Sequence, residues 1–278
     1  MVRHTFFSAR GVTSYLGSFA IILAAAFGFR SEAPGALVIV GGGGTPDEAV
    51  LEAIKLAGGP KADVLIVPWA SQSENRGDSS VEMYEELGAK NASNADDFEG
   101  AALKKAIREA ELIWMPGGSQ TRLIETMKER GVLEEIRNAH QRGCVVGGTS
   151  AGAAVMSDPM IARGPSEEGI RQGISSFGEG LGLWPGVFVD QHFIERNRQT
   201  RLITAVFEGP HRIGVGIGES TAVVVEGRDL RVLGRSAAQI YDARDAKIEK
   251  PLGEGECLAA TGVTLHVLRA GMKWRWVE

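Results

Sequence analysis

The chain has 278 residues, of which 44% are hydrophobic and 23% are charged. A chain of this length and composition can bury a large core, and α/β folds of this size are often a single domain. The net charge of −5 and the pI of about 5.7 give no reason to expect a polyanionic partner, so nucleic-acid binding is disfavoured.

The first thirty or so residues have the layout of a secretory signal peptide. Arg3 and Arg10 precede an uncharged, largely apolar stretch over 11–29, and polar residues with a proline follow over 30–34. An uncleaved signal anchor is the alternative, because the uncharged run is nearly long enough to span a bilayer. Since its strongly apolar part is short, we expect cleavage of residues 1–31, no stable membrane association afterwards, and a periplasmic or secreted protein. No cysteine follows the leader and it has no paired arginines, which disfavours lipidation and twin-arginine export.

Short apolar runs alternate with helical patterns over most of the chain. This alternation predicts βαβ units and an α/β fold with a mainly parallel sheet flanked by helices. The predicted elements are, in chain order, strand 36–40, helix 46–56, strand 64–67, helices 80–89 and 100–109, strand 112–115, one or two helices over 122–141 with a break at Gly131, a strand from Cys144 up to Ser150, and strand 187–189.

From strand 213–217 onward the pattern changes to β hairpins. The predicted strands there are 222–226, 231–233, 239–242 and 264–268. We interpret them as an antiparallel extension of the same sheet at its C-terminal end, so that residues 36–278 form one domain.

The two cysteines, Cys144 and Cys257, are expected to act as small hydrophobic residues. A disulfide between them is left open for an oxidising compartment. As a rival nucleophile Cys144 is disfavoured, because it lies inside a buried strand and reactive thiols need an accessible, polar setting.

A Gly-x-Ser-x-Gly pattern formed by Gly148, Ser150 and Gly152 directly follows an apolar run. In a sharp turn between strand and helix, this pattern presents its serine as a nucleophile. The glycines suit such a turn because it needs positive φ angles or close backbone approach. The alternative is a glycine-rich βα turn with an incidental serine.

Further polar clusters follow the predicted strands 112–115, 187–189 and 213–217. Open α/β sheets bind their ligands where strands end, so these clusters and Ser150 are expected to meet. The glycine turn after strand 112–115 contains Gly118, whose N–H we predict to form an oxyanion hole with that of Ala151.

A serine hydroxyl needs a neighbouring general base, which is itself oriented by a third group. Only His192, among the five histidines, stands at the end of a predicted strand among polar residues, although a structural loop histidine is the alternative. Asp190 and Glu219 are the candidate acids. Asp190 would share a strand face with His192, so Glu219 is preferred. The order Ser150, His192, Glu219 disfavours an α/β-hydrolase, in which the acid lies between serine and histidine.

The glycine run at 41–44 lacks the Lys-Ser/Thr ending of a P-loop and the spacing of a dinucleotide fingerprint. We interpret it as a tight turn beside the active cleft. His192 and Glu195 have no second histidine at helical spacing, and the other histidines are scattered. The sequence therefore predicts no metal and no cofactor.

Four motifs resemble those of a known family in order and spacing over 37–233. They are Gly-Gly-Ser-Gln at 117–120, Gly-Gly-Thr-Ser-Ala-Gly at 147–152, Asp-Gln-His-Phe at 190–193 with Arg196 and Arg201 after it, and Gly-Ile-Gly-Glu-Ser-Thr-Ala at 216–222. The family is that of the cyanophycinases, serine exopeptidases of the aspartyl dipeptidase family, with a class I glutamine amidotransferase-like (flavodoxin-like) fold.

The resemblance implies an enzyme that releases β-Asp-Arg dipeptides from cyanophycin, a poly-aspartate with arginine joined through each β-carboxyl. It implies that Ser150 is the nucleophile, His192 the general base and Glu219 the orienting acid, and that an acyl-enzyme forms. The positions expected from it to line the substrate pocket are Gln120, Asp190, Gln191, Arg196 and Arg201.

The chemistry of these side chains agrees with that role. Arginine binds a carboxylate bidentately, and Arg201 is the favoured ligand, whereas at least one of Arg196 and Arg201 is expected to be a solvated surface residue. Asp190 is expected to bind the substrate guanidinium or, alternatively, backbone donors at the next helix start. Gln120 and Gln191 are expected to orient backbone amides.

Three other functions stay open at this point. One is a related aspartyl or isoaspartyl dipeptidase on the same fold. A lipase-like esterase is disfavoured by the triad order, and a catalytically silent binding protein leaves the Ser, His and Glu set unexplained. The oligomeric state is open too, a homodimer included.

Overall fold

The computed structural model describes residues 33–165, 169–249, 253 and 255–276. The predicted signal peptide lies outside these residues. Within them, no helix is both long enough and apolar enough to cross a bilayer.

The described helices follow the predicted alternation closely. They are α1 (Asp47–Leu56), α2 (Asp78–Glu86), α3 (Gly100–Glu109), α4 (Gln120–Glu129), α5 (Leu133–Gln141), α6 (Ala151–Ala154) and α7 (Gln199–Glu208). The predicted break at Gly131 separates α4 from α5, and its φ of 65° lies in the left-handed region that favours glycine.

The strands fall into two principal sheets and two short hairpins. They are β1 (Leu37–Val40), β2 (Asp63–Ile66), β3 (Asn91–Asn94), β4 (Leu112–Met115), β5 (Val145–Thr149), β6 (Met160–Arg163), β7 (Ser176–Gly178), β8 (Val187–Asp190), β9 (Ile213–Ile217), β10 (Thr221–Glu226), β11 (Asp229–Gly234), β12 (Ala237–Asp242), β13 (Lys247–Glu249), β14 (Ala259–Thr261), β15 (Thr264–Arg269) and β16 (Lys273–Arg275).

The larger sheet has the strand order β16-β11-β10-β1-β5-β4-β2-β3. Its five strands from β1 to β3 are parallel, and β10, β11 and β16 extend it in antiparallel fashion. Strands β1 and β4 are buried along their whole length, as parallel strands covered on both faces are. The predicted fold class, α/β with a mainly parallel sheet flanked by helices, is confirmed.

The C-terminal strands do not all extend this sheet, which corrects the sequence-based expectation. Strands β8, β9, β12 and β15 form a separate four-stranded sheet in the order β15-β12-β9-β8. The turn after β9 carries the chain from the smaller sheet into β10 of the larger one. Alternating apolar residues predict a strand but not the strand with which it pairs. The division into two sheets therefore could not be predicted from the sequence.

The core lies on both faces of the larger sheet. Helix α1 packs on one face, against side chains of β1 that include Val38 and Val40. Helices α3 to α5 and one face of the smaller sheet share the opposite core, in which Ile39 of β1 lies with Val215 of β9. Helix α7 covers the other face of the smaller sheet, where it packs against Phe188.

Two local expectations were wrong and one was confirmed. Strand β3 was missed because its sequence, Asn-Ala-Ser-Asn, is polar, and it lies at the sheet edge where one side needs no partner. Cys144 is 2% exposed and directly precedes β5, as a small core residue does. Cys257 is exposed instead of buried, and no disulfide joins the two cysteines.

Candidate active site

Ser150 occupies the sharp turn between β5 and α6. Its φ of 54° and ψ of −108° lie outside the ordinary regions for a residue with a side chain. The turn has no room for a side chain at Gly152, because a methyl group there would lie 2.0 Å from the carbonyl oxygen of Met115. The backbone N–H of Ser150 donates to the carbonyl of Val40 at 3.1 Å. The expected strand-turn-helix arrangement is therefore present, and the backbone strain is concentrated at the serine.

His192 reaches Ser150 from the end of β8. Its Nε2 lies 3.0 Å from Ser150 Oγ. Its φ of 46° turns the chain out of the strand direction, so His192 does not continue β8. The N–H of His192 donates to the carbonyl of Gly41 at 2.6 Å, which fixes this turn against the loop after β1.

Glu219 lies in the turn between β9 and β10, and its Oε1 is 2.5 Å from His192 Nδ1. The structure thus brings Ser150, His192 and Glu219 into one hydrogen-bonded line. Asp190, the other candidate acid, is 1% exposed and hydrogen-bonds elsewhere. Their catalytic roles stay a prediction.

The glycine loop after β1 packs directly on this line. A methyl group at Gly42 would lie 2.3 Å from Cε1 of His192, and one at Gly43 would lie 2.4 Å from Oε2 of Glu219. The loop is further joined to the Glu219 turn, because the N–H of Ser220 donates to the Gly42 carbonyl at 2.8 Å. These glycines therefore leave room for the imidazole and the carboxylate, in line with a tight turn beside the site.

We predict that Gly42→Ala slows the labelling of Ser150 by a fluorophosphonate about 100-fold, because the new methyl group displaces the imidazole by about an ångström. Gly44→Ala is the matched control. Gly44 has a similar φ, 105° against 98° for Gly42, but its added methyl would meet nothing closer than Ser220 Oγ at 3.9 Å. Both variants bear comparable backbone strain, about 1–2 kcal/mol. Equal labelling rates in the two variants would contradict the prediction.

Two backbone N–H groups close to the serine turn are unpaired in the ranges that the structure describes. The N–H groups of Gly118 and Ala151 have no hydrogen-bond acceptor among the described residues. Gly118 has a φ of 143° and is held by the neighbouring Ser119, whose N–H donates to the Ala70 carbonyl at 2.9 Å. A methyl group at Gly117 would lie 3.4 Å from Ser150 Cβ, so this turn packs against the serine. Free donors fixed beside a nucleophile suit a developing oxyanion.

A buried ion-pair cluster lies behind the His192 turn. The Arg201 guanidinium donates to Asp190 through Nε at 2.7 Å and through Nη2, and Arg198 Nη1 lies 3.5 Å from Asp190 Oδ1. Arg198 Nη1 also donates to the Gln191 carbonyl at 2.7 Å. Burial lowers the pKa of Arg198 to about 10, so it stays protonated at neutral pH. The cluster therefore clamps the segment that presents His192.

Asp190 and Arg201 neutralise each other's charge, so neither needs a substrate as a partner. Both are at most 5% exposed and bind each other, so contact between either of them and a ligand stays a prediction. Arg196 is exposed and precedes α7. It fits the expected solvated arginine.

The two glutamines differ in their surroundings. Gln120 Nε2 donates to the Ala162 carbonyl at 3.1 Å, which ties the start of α4 to β6. Gln191 is 5% exposed, and its Oε1 has no hydrogen-bond partner within the described part of the chain. Contact between that oxygen and a ligand stays a prediction.

Two contributors to the site were missed from the sequence. One is Arg198, which holds the Gln191 carbonyl, and the other is Glu195, whose Oε2 accepts the N–H of Glu219 at 3.0 Å. The signal was the run Glu-Arg-Asn-Arg-Gln-Thr-Arg at 195–201, but spacing alone does not tell which of its charges are buried. In the described ranges, no group of three or more His, Cys, Asp or Glu side chains is arranged to hold a metal ion.

Comparison with known proteins places the chain in a family. Residues 37–233 match the model of peptidase family S51. The cyanophycinase of Nostoc sp. is 38% identical over 226 residues, which covers 77% of this chain and 76% of that protein. The cyanophycinase of Geminocystis herdmanii is 36% identical over 221 residues, which covers 77% of this chain and 80% of that protein.

A solved structure supports the fold independently. The crystal structure of a peptidase from an acI-B1 Actinobacterium matches 89% of this chain and 99% of its own, with a TM-score of 0.62 at 22% identity. That identity shows the shared fold alone. The family match and the curated relatives confirm the resemblance that the four motifs indicate. They also confirm the prediction of a serine-type hydrolase. The chain belongs to peptidase family S51.

Proposed function

We propose that the protein hydrolyses cyanophycin through a triad of Ser150, His192 and Glu219. The observation that carries the triad is its hydrogen-bonded line, with 3.0 Å from Ser150 Oγ to His192 Nε2 and 2.5 Å from His192 Nδ1 to Glu219 Oε1. The substrate is proposed because curated relatives that are 35% to 38% identical are named cyanophycinases.

In the first half of the proposed reaction, Ser150 Oγ attacks the scissile carbonyl carbon while His192 Nε2 takes its proton. Glu219 accepts the Nδ1–H of His192, which keeps the required tautomer and stabilises the imidazolium that forms. The N–H groups of Gly118 and Ala151 donate to the oxyanion. His192 then protonates the leaving amine, and an acyl-enzyme on Ser150 remains.

In the second half, His192 takes a proton from water, and the resulting hydroxide attacks the acyl carbon. The tetrahedral intermediate uses the same two N–H donors, and its collapse returns the proton to Ser150. The strained backbone at Ser150 supports this role, because strain of this kind is retained where it presents a reactive group.

Product analysis tests the proposal directly. We expect the purified protein to release β-Asp-Arg dipeptides from insoluble cyanophycin, identified by mass spectrometry. A heat-denatured sample controls for spontaneous release. If a folded protein released nothing from the polymer but cleaved short isoaspartyl peptides, the reaction class would stand and cyanophycin would be the wrong substrate.

We also propose that the protein is exported after cleavage of its leader. The proposal rests on the charge and apolar pattern of residues 1–34. Amino-terminal sequencing of the protein from fractionated cells tests it. A cytoplasmic protein with residues 1–30 intact would overturn it.

A further inference from the structure

A polar cavity of about 240 Å³ lies beside the nucleophile. One wall is the segment between β2 and α2 together with the first residues of α2, over 71–80, and another is the glycine turn at 116–117. Gly117 connects this cavity with the site, because a methyl group added there would lie 3.4 Å from Ser150 Cβ and 3.8 Å from its Oγ. A substrate group in the cavity would therefore be close to the scissile bond.

The charge on the cavity lining is positive. Arg76 is the charged side chain among its lining residues, and no carboxylate lines it. Asp96 fixes the Arg76 guanidinium, with Nε to Oδ2 at 2.5 Å and Nη2 to Oδ1 at 3.1 Å. Because Arg130 Nη2 also donates to Asp96, at 3.2 Å, two guanidinium groups share one carboxylate. Arg76 and Arg130 therefore carry one more positive charge than the carboxylate they share, and this local excess suits an anion.

Neutral hydrogen-bonding side chains line the rest of the cavity. Ser73, Asn75 and Ser79 are exposed, and their side chains have no hydrogen-bond partner among the described residues. Each can therefore donate to a ligand without giving up a contact within the protein. Oxygen acceptors with several lone pairs, such as a carboxylate, match a set of hydroxyl and amide donors next to a guanidinium.

We propose that this cavity is a substrate subsite for a free carboxylate, bound by Arg76 with the hydroxyl groups of Ser73 and Ser79. The inference rests on the proposed function, because it takes Ser150 as the point of attack. In a polymer whose arginines are joined through their amino groups to β-carboxyls, each arginine carries such a free α-carboxylate. The subsite then selects substrates by that group.

A pair of matched substrates tests the subsite. They are short β-Asp-Arg oligomers with the arginine α-carboxylates either free or converted to carboxamides. We expect the wild-type protein to prefer the free acid by about tenfold or more in kcat/KM, the size expected for hydrogen bonds to a charged group. Ser73→Ala with Ser79→Ala is expected to raise KM for the free acid and to reduce this preference several-fold.

Two further variants complete the experiment. Arg76→Gln is expected to abolish the preference for the free acid. Arg142→Gln replaces an exposed arginine outside the cavity and is expected to leave kcat/KM unchanged for both substrates. If Arg76→Gln fails to fold because Asp96 loses one of its partners, the preference measured in the double serine variant still tests the subsite.

The outcomes separate the two proposals. Equal kcat/KM for both substrates in the wild-type protein, or a loss in the double serine variant that is the same for both, would overturn the subsite and leave the function standing. Absence of hydrolysis and of fluorophosphonate labelling in the folded wild-type protein would overturn the proposed function and the subsite with it.

Discussion

Replacing Ser150 with alanine is expected to lower kcat for hydrolysis of β-Asp-Arg polymer by about 10⁴-fold or more, which is the size of effect seen when a serine-peptidase triad loses its nucleophile. The fold should persist, because alanine bears the same left-handed backbone strain as serine at this position. Purified variant and wild type are to be compared by initial rates and by thermal unfolding.

The control for this experiment is Ser176→Ala. Ser176 is exposed and lies outside the proposed triad, so its removal should leave kcat near the wild-type value. A second check uses the coupling of the triad: Ser150→Ala combined with His192→Ala should be no slower than either single variant, because the two groups act as a unit. Substantial hydrolysis by Ser150→Ala, or losses that multiply in the double variant, would exclude Ser150 as nucleophile.

The second large effect is on stability. Asp190→Asn is expected to lower the free energy of unfolding by about 3–5 kcal/mol, because it leaves the buried guanidinium groups of Arg198 and Arg201 facing a neutral amide. Asp190 is 1% exposed, and its ion pair with Arg201 is shielded from water and salt. Urea unfolding followed by circular dichroism measures the change.

Asp229→Asn is the matched control for this measurement. Asp229 makes the same two-point contact with a guanidinium, that of Arg275, with Nε and Nη2 each at 2.7 Å from its oxygens. Since both of those side chains are exposed, the substitution should scarcely shift the urea midpoint. Equal midpoint shifts in the two variants would show that burial does not determine the strength of the Asp190 cluster.

The sequence predicted the parts of the site that depend on local backbone geometry. The Gly-x-Ser-x-Gly pattern predicts a turn at Ser150, because few residues other than glycine fit such a turn. Glu219 was preferred over Asp190 by an argument about strand faces, and the structure shows that His192 leaves the strand altogether at φ 46°. Glu219 is the acid beside the imidazole, although the backbone from Asp190 to His192 is not a continuous strand.

The remaining features depend on contacts that are distant in sequence. No local pattern tells that Arg201 faces Asp190 while Arg196 faces solvent, since both follow His192 within nine residues. The division of the C-terminal strands between two sheets also depends on distant contacts, because β9 and β10 are both largely apolar and yet pair in different sheets. Partner choice in sheets and burial of single charges are properties of the packed molecule.

The two-sheet architecture has a consequence for how the protein loses activity. Ser150 follows a strand of the larger sheet, His192 follows a strand of the smaller one, and Glu219 sits in the connection between them. A small displacement of one sheet relative to the other therefore changes the distances between these three side chains. This happens before either sheet loses its own hydrogen bonds. Inactivation should precede melting of the secondary structure, and the temperature range in which the enzyme works is narrower than the range in which it stays folded.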